Sequence, residues 1–238
     1  MKDIVIGIDL GTTNSEVAVL LDGRTQVIPV DGELIMPSCV GVSPDGELLV
    51  GHNARNQMVI APEETVVSIK RKMGTKTLTN LNGKIFTPEE ISALILGKLK
   101  MIAQNYLGVP IQKAVITVPA YFDDAQRKAT RNAGILAGLD VVRILNEPTA
   151  AALAYDALLK TDQVILVYDL GGGTFDVSLV VAEKGVVEVK ASHGDTHLGG
   201  DDFDALLMEY VAMFFQKQTG TDLLTEIRSK NRLWQVVE

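Results

Sequence analysis

Cysteine and long apolar runs are the two features that this sequence most clearly lacks. Its 238 residues include one cysteine, Cys39, which has no partner for an internal disulfide. No stretch approaches the roughly 18 uninterrupted apolar residues that a membrane-spanning helix needs. No charged segment followed by a short apolar core and a cleavage site opens the chain. These absences predict a cytoplasmic protein of a reducing compartment, with no membrane span and no membrane partner.

Positive charge is also scarce, and several familiar catalytic motifs are missing. The chain has 22 Lys and Arg against 30 Asp and Glu, a net charge of −8, so we expect no nucleic-acid partner held by its phosphates. It contains no G-x-x-x-x-G-K-[ST], no G-x-G-x-x-G, no G-x-S-x-G and no H-E-x-x-H. The P-loop, dinucleotide-binding, serine-hydrolase and zinc-protease classes are therefore excluded.

Short apolar runs that alternate with helical segments predict an α/β protein. The clearest helix is Pro88 to Leu107, with Thr87 as its N-cap residue, and further helices follow Asp123 and Pro148. Asp-Gly pairs predict tight hairpin turns at Leu21 to Arg24 and at Pro44 to Glu47. The predicted strands include Ile4 to Ile8, Ala114 to Val118, Val141 to Leu145 and Val164 to Tyr168.

An internal repeat is the most informative pattern in the sequence. Each residue of the second copy is numbered 160 higher than its counterpart in the first, as Asp169 is against Asp9. Both copies follow an apolar strand and lead into another, so we predict two lobes of related fold, 1–160 and 161–238, each opening with a glycine-rich β-hairpin. The two copies are Asp9-Leu10-Gly11-Thr12-Thr13-Asn14-Ser15-Glu16-Val17 and Asp169-Leu170-Gly171-Gly172-Gly173-Thr174-Phe175-Asp176-Val177.

The chemistry of these turns suits a polyphosphate. Glycine lets backbone N–H groups approach a ligand closely, and threonine adds hydroxyl donors. Asp9 and Asp169 would meet across the cleft and repel each other unless a cation lay between them, and Mg²⁺ is the cation that carboxylates and phosphates share, usually through water. One such turn alone is more often structural, but its duplication favours a magnesium nucleotide. The predicted phosphate-binding residues are Gly11, Thr12, Thr13, Asn14, Gly171, Gly172, Gly173 and Thr174.

The motifs together resemble the nucleotide-binding domain of the seventy-kilodalton heat-shock chaperones of the DnaK type. This resemblance spans essentially the whole chain and implies an actin-like (ribonuclease H-like) ATPase fold with duplicated lobes. Besides the two repeat copies, it rests on Ile69-Lys70-Arg71, Val118-Pro119-Ala120-Tyr121-Phe122, Asn146-Glu147-Pro148-Thr149-Ala150-Ala151-Ala152 and Leu198-Gly199-Gly200.

The resemblance implies roles for further residues. Lys70 would reach the γ-phosphate and orient the attacking water. Without the resemblance, its spacing would instead favour a solvated surface lysine. Glu147 would lie near the magnesium water shell, and a first-turn helix position would suit it equally well. Pro119 and Arg127 would form the relay to a substrate domain; otherwise they are a strand-ending proline and an exposed arginine. The implied catalytic residues are Lys70, Glu147, Asp169 and Thr174; Asp9, Glu147 and Asp169 would hold magnesium through water; Gly199 and Gly200 would join the nucleotide site.

The implied function is ATP binding and hydrolysis that drive the binding and release of unfolded peptides by a separate, absent domain. ATP or ADP and Mg²⁺ are the implied cofactors, and a J-domain co-chaperone and a nucleotide exchange factor the implied partners. The stretch between Lys70 and Pro119 is shorter than in general members, which resembles a specialised bacterial branch of the HscC kind. Only Asp169 to Glu238 remains for the second lobe, so we expect that lobe to be incomplete.

Three alternatives stay open at this point. An actin-like filament protein would share the phosphate hairpins, and so would a small-molecule kinase. The third is that the chain is a folded piece that binds nucleotide poorly or not at all.

Overall fold

The computed structural model of the chain describes residues 4–155, 162–183 and 185–237. The strands, in chain order, are β1 (Val5–Asp9), β2 (Asn14–Leu21), β3 (Arg24–Val27), β4 (Met36–Pro37), β5 (Val40–Val42), β6 (Leu48–Val50), β7 (Thr65–Val66), β8 (Thr79–Leu81), β9 (Lys84–Phe86), β10 (Lys113–Val118), β11 (Asp140–Asn146), β12 (Gln163–Leu170), β13 (Phe175–Glu183) and β14 (Val186–Asp195). The helices are α1 (His52–Gln57), α2 (Pro88–Leu107), α3 (Asp124–Leu136), α4 (Glu147–Ala154), α5 (Gly200–Thr219) and α6 (Ile227–Val237), with 3₁₀ turns at Pro62–Glu64 and Ile69–Lys72.

The first lobe is built on a six-stranded mixed sheet. Its strands run in the order β11-β10-β1-β2-β3, and β4 pairs with β2. β1 is antiparallel to β2 but parallel to β10, which is itself parallel to β11. The carboxyl ends of β1, β10 and β11 therefore meet at one edge of the sheet, where the chain places Asp9, Pro119 and Glu147.

Two capped helices cover one face of this sheet. α2 begins and ends where the sequence predicts, with a capping box between Thr87 and Glu90 and a left-handed C-cap at Gly108. α3 has the predicted Asp123 cap, completed by Gln126. α2 packs on β1 and β2, and α3 packs on β10 and β11. The sheet residues Ile6 and Ile8 thereby lie in the main core.

The second lobe has a smaller sheet with the order β12-β13-β14, in which both pairings are antiparallel. α4 contacts strands of both sheets and so lies between the lobes, and α6 packs against α5. One face of the second sheet is exposed and apolar. Its exposed side chains include Val164, Leu166, Tyr168 and Leu170.

The register of the two hairpins agrees with the internal repeat. Asp9 pairs with Glu16 in the first hairpin, and Asp169 pairs with Asp176 in the second. Since residues 160 apart occupy the same rung, the repeat in the sequence corresponds to a repeat in structure. The predicted boundary between the lobes, at residue 160, lies outside the described residues.

Several tight turns follow the predicted chemistry, and others were missed. Asp22 and Gly23 both have positive φ and join β2 to β3, whereas in the predicted turn at residues 44–47 the only positive φ is at Gly46. Asn82-Gly83, an Asn-Gly pair outside the predicted turns, joins β8 to β9 in the same way. Within residues 4–155, 162–183 and 185–237, no helix has the length and apolarity that crossing a bilayer requires.

Candidate functional site

A cleft of about 610 Å³ opens where the two repeated turns face each other. The ends of β1 and β12 bring one turn from each lobe to it, and the start of α4 and the 3₁₀ turn at Ile69–Lys72 complete its walls. The predicted site residues that line it are Asp9, Gly11, Thr12, Thr13, Asn14, Lys70, Glu147, Asp169, Gly171, Gly172 and Thr174.

The first turn is anchored from within its own lobe. The Ser38 hydroxyl donates to the carbonyl oxygen of Gly11 at 2.8 Å, and the Ser38 N–H donates to the carbonyl oxygen of Thr13 at 2.8 Å. A Cβ on Gly11 would lie 1.9 Å from the carbonyl oxygen of Asn14, so that only glycine fits.

The second turn is anchored by the start of α5. The N–H of Gly171 donates to the carbonyl oxygen of Thr174 at 3.0 Å and closes the turn. The carbonyl oxygens of Gly171 and Gly172 accept from the N–H groups of Gly200 and Asp201, at 3.0 and 2.8 Å. Gly200 therefore supports the turn from behind and does not line the cleft.

Glycines of the second turn make room for protein atoms of the first. A Cβ on Gly172 would lie 1.7 Å from the Thr13 Oγ1, and one on Gly173 would lie 2.4 Å from the Thr12 Cγ2. A Cβ on Gly199 would lie 2.4 Å from the backbone of Gly172. The clearance at Gly172 and Gly173 lets the two lobes close against each other, in addition to the predicted ligand approach. The clearance at Gly199 lets the start of α5 approach the second turn.

Lys70 and Glu147 form an ion pair at the floor of the cleft. The Lys70 Nζ lies 2.7 Å from the Glu147 Oε1, and Lys70 is only 5% exposed. Glu147 is the first residue of α4, directly after β11, so that its position follows from the sheet. The Lys70 Nζ also lies 5.9 Å from the centre of the Phe122 ring. Lys70 is therefore a buried, paired ammonium and not a solvated lysine.

Carboxylates crowd this ammonium. Burial by itself lowers the pKa of Lys70, but Glu147 and Asp9, with a smaller contribution from Asp169, raise it above the usual lysine value. Burial raises the pKa of Glu147 to about 7 despite the Lys70 ammonium beside it. Burial likewise raises the pKa of Asp169, with Asp9 adding to the shift. The cleft thus holds more negative charge than Lys70 neutralises, which favours a bound cation.

Asp176 does not line the cleft, but it is a buried acid that interacts electrostatically with Asp169 and that the sequence did not single out. It is 3% exposed, and among the described residues its buried Oδ1 has no hydrogen-bond partner. Burial, reinforced by Asp169, raises its pKa to about 6. The available signal was its place in the repeat, where it matches Glu16, a cleft-lining residue whose pKa burial also raises.

The predicted relay residues lie together, outside the cleft. The Arg127 guanidinium donates to the carbonyl oxygens of Ala120 and Phe122, each at 2.9 Å, and to that of Pro119 at 3.4 Å. It also donates to the Asn146 Oδ1 at 2.8 Å, one residue before Glu147. Arg127 is thus a structural tie between the Pro119 loop and the start of α4.

A metal ion could be held here only with help from water or phosphate. Among the described residues, no group of three or more His, Cys, Asp or Glu side chains is arranged to hold a metal directly. The Asp9 Oδ1 instead accepts a hydrogen bond from the Thr117 hydroxyl at 2.6 Å. The crowded carboxylates of Asp9, Glu147 and Asp169 fit a hydrated divalent cation.

One hairpin belongs to the mixed sheet of the first lobe and its duplicate to the antiparallel sheet of the second. These duplicated hairpins, with a cleft between the lobes, define the class of actin-like ATPase folds. The family model described as "Hsp70 protein" matches residues 5–80 and 76–238, nearly the whole chain. The chain belongs to the Hsp70 family. This membership does not favour the filament-protein or small-molecule-kinase alternatives.

Curated relatives include the proteins named chaperone protein DnaK from Thermotoga neapolitana, Thermotoga petrophila and Thermotoga maritima. Each is 55% identical over 241 residues, an alignment that covers all of this chain and 40% of the relative. The chain therefore spans about two fifths of the length of these relatives.

Proposed function

We propose that this chain binds ATP or ADP with Mg²⁺ between its lobes and hydrolyses ATP as part of a chaperone. The observation that carries the proposal is the pairing of two equivalent turns across one cleft. The turns line that cleft together with a buried lysine and several carboxylates. A polyphosphate with a divalent cation satisfies both the donors of the turns and the excess of negative charge.

The phosphates would be held by backbone N–H groups and hydroxyls of the two turns. One donor already lacks a partner: among the described residues, the buried Thr13 Oγ1 has no hydrogen-bond partner. Gly199 and Gly200 would act indirectly, by supporting the second turn. The proposed phosphate-binding residues are Gly11, Thr12, Thr13, Asn14, Gly171, Gly172, Gly173 and Thr174.

Asp9, Glu147 and Asp169 would hold Mg²⁺ through water. When bound, the ion supplies positive charge to the phosphates and offsets the repulsion between these carboxylates. Lys70 would stabilise the charge that develops on the transferred phosphoryl group and orient the attacking water. The Glu147 Oε1, 2.7 Å from the Lys70 Nζ, fixes the ammonium in this position. Thr174, at the end of the second turn, would complete the catalytic group.

The whole protein would use ATP hydrolysis to control the binding and release of unfolded peptides by a separate domain. The name of the relatives, chaperone protein DnaK, supports this proposal. A J-domain co-chaperone and a nucleotide exchange factor would be its partners, in the cytoplasm. Pro119 and Arg127 would couple nucleotide state to the peptide-binding domain.

Titration calorimetry with ADP tests the nucleotide site on this chain. We expect binding that depends on Mg²⁺ and is lost on chelation, because the ion mediates between phosphates and carboxylates. Asp9→Asn and Asp169→Asn should each reduce the magnesium dependence at least tenfold, whereas the exposed Asp140→Asn should not. Equal affinity with and without chelator would contradict the shared-cation site.

Single-turnover hydrolysis of ATP tests the role of Lys70. Lys70→Ala should lower the rate at least a hundredfold and leave ADP affinity within a fewfold, because the loss falls on the transition state. The exposed neighbouring Lys72→Ala is the matched control. An unchanged rate in Lys70→Ala would remove this residue from the mechanism.

A further inference from the structure

The segment that carries Lys70 also reaches across to the second lobe. The guanidinium of Arg71, the next residue, donates from Nε to the carbonyl oxygen of Gly173 at 3.0 Å. It forms a two-pronged contact with the Asp202 carboxylate, with Nη1 at 3.2 Å from Oδ1. Both acceptors lie in the second lobe, more than one hundred residues away along the chain. One short 3₁₀ turn therefore places Lys70 in the cleft and Arg71 on the opposite turn.

The contact with Gly173 completes a set of three anchored carbonyls. Those of Gly171 and Gly172 are held by the start of α5, as described above, and that of Gly173 is held by Arg71. In a trans peptide unit the C=O and the following N–H point in opposite directions. Anchoring these carbonyls therefore directs the N–H groups of Gly172, Gly173 and Thr174 away from α5 and Arg71.

Asp202 links the same guanidinium to the start of α5. One of its oxygens accepts the N–H of Gly199 at 2.8 Å while the carboxylate contacts Arg71. The Arg71 hydrogen bond is the main cause that lowers the pKa of Asp202, so that the carboxylate stays charged. Nearby, the Ser68 hydroxyl donates to the Asp201 carboxylate at 2.5 Å. Ser68 itself has a left-handed backbone conformation, with φ of 53°. Two side chains of the first lobe thus hold the start of α5.

We propose that Arg71 is a positioning residue that fixes the second phosphate turn relative to Lys70. The planar Arg71 guanidinium donates to a carbonyl oxygen and to a carboxylate at the same time. A lysine ammonium at the same position would not reproduce this geometry. Arg71 anchors the third peptide unit of the turn through the Gly173 carbonyl oxygen, and its Nη2 also lies 3.5 Å from the Gly172 carbonyl oxygen. The orientation of the Thr174 N–H therefore depends on Arg71. The ligand-binding consequence rests on the proposed function, but the ordering of the turn does not.

Amide hydrogen exchange followed by NMR tests the ordering without any ligand. The Gly171 and Asp201 amides are hydrogen-bonded in the second turn, and the Ser38 amide is hydrogen-bonded to the first. Arg71→Ala should speed exchange at Gly171 and Asp201 at least tenfold and leave Ser38 within twofold. Equal acceleration at all three sites, or none, would overturn the proposal, since either result means that Arg71 does not order this turn.

Two further variants serve as controls for this experiment. Arg71→Lys keeps the charge and should still speed exchange at Gly171 at least threefold, which keeps the test open if Arg71→Ala does not fold. Arg131→Ala removes an arginine that donates to the carbonyl oxygen of Val141, away from the cleft, and should change none of the three amides. If the Gly171 and Asp201 amides exchanged at the wild-type rate in Arg71→Lys, a guanidinium would not be required at this position.

Ligand affinity supplies the functional readout. Arg71→Ala should weaken the binding of magnesium ADP at least tenfold and the binding of AMP less than twofold. ADP has a second phosphate that would lie between the turns, and AMP has none. Equal losses for both ligands would overturn the positioning role. If the wild-type chain bound no magnesium ADP, the proposed function would fail, and the exchange rates would still decide whether Arg71 orders the turn.

Discussion

The same hairpin occurs twice in this molecule, in two different environments. The β1–β2 and β12–β13 hairpins share their register, their turn length and the aspartate that ends the first strand. Ile6 of the first hairpin is fully buried, whereas its counterpart Leu166 is 66% exposed. In the first lobe α2 and α3 cover this face, and β10 pairs with β1. Among the described residues, β12 pairs with β13 alone.

The two turns also differ in what holds them. Ser38, a residue of the same lobe, anchors the first turn. The second turn depends on the start of α5 and, across the cleft, on Arg71. The same local pattern therefore accompanies the hairpin in both lobes, but its stability and its exact orientation depend on the elements packed against it.

Stability should separate the two hairpins most strongly. We expect Ile6→Ala to lower the free energy of unfolding by about 2–5 kcal/mol, because it leaves a cavity in a packed core. Leu166→Ala, the matched change in the second hairpin, should stay within about 0.5 kcal/mol, because its side chain is already exposed. Urea denaturation measures both. Similar losses for the two variants would mean that both faces are buried in solution.

The pH dependence of stability should distinguish Asp176 from Glu16, the acids at equivalent positions of the two hairpins. Burial raises the pKa of Asp176 from its ordinary value of 3.8 to about 6, so the folded chain binds a proton that the unfolded chain has released. This contribution to stability is present below about pH 4 and is lost as the pH rises to about 6, by at most about 1.4 kcal/mol per pH unit. Asp176→Asn should abolish that loss, as denaturation midpoints between pH 4 and 7 would show.

Glu16→Gln is the comparison variant for this measurement. The pKa of Glu16 is also raised, mainly by burial and then by Asp9, but Glu16 is only partly buried. We therefore expect a shallower change with pH than for Asp176. A parent chain and an Asp176→Asn variant with parallel pH profiles would contradict the raised pKa of this buried acid.

The smallest effect should come from the far end of the second lobe. Arg55 of α1 lies 5.9 Å from the centre of the Trp234 ring in α6, and this is the single tryptophan of the chain. Arg55→Ala should lower the free energy of unfolding by about 0.5–1 kcal/mol, as expected for a cation–π contact near the surface. The tryptophan emission should shift to longer wavelength as the ring gains exposure. Unchanged emission would show that α6 does not depend on this contact.

Local signals predicted most of the regular structure of the first lobe. The Thr87 capping box and Gly108 are short-range devices, and α2 has the predicted bounds. The Asn82-Gly83 turn, which was not among the predicted turns, depends on an equally local Asn-Gly signal. The actin-like fold and the family were identified from motifs, and the family model confirms them. The roles of the site residues stay predictions, although the structure gathers most of them around one cleft.

The sequence alone determined where strands, capped helices and turns form and that two hairpins repeat, because these depend on neighbours a few residues apart. It also singled out Lys70, Glu147 and the two turns, through a family resemblance that rests on short motifs. Only the tertiary structure decided that Asp176 is buried, that Gly172 lies against Thr13 and that Arg71 holds the opposite turn. These facts depend on contacts between residues far apart in the chain, and side chains of identical type can be core or surface according to what packs on them.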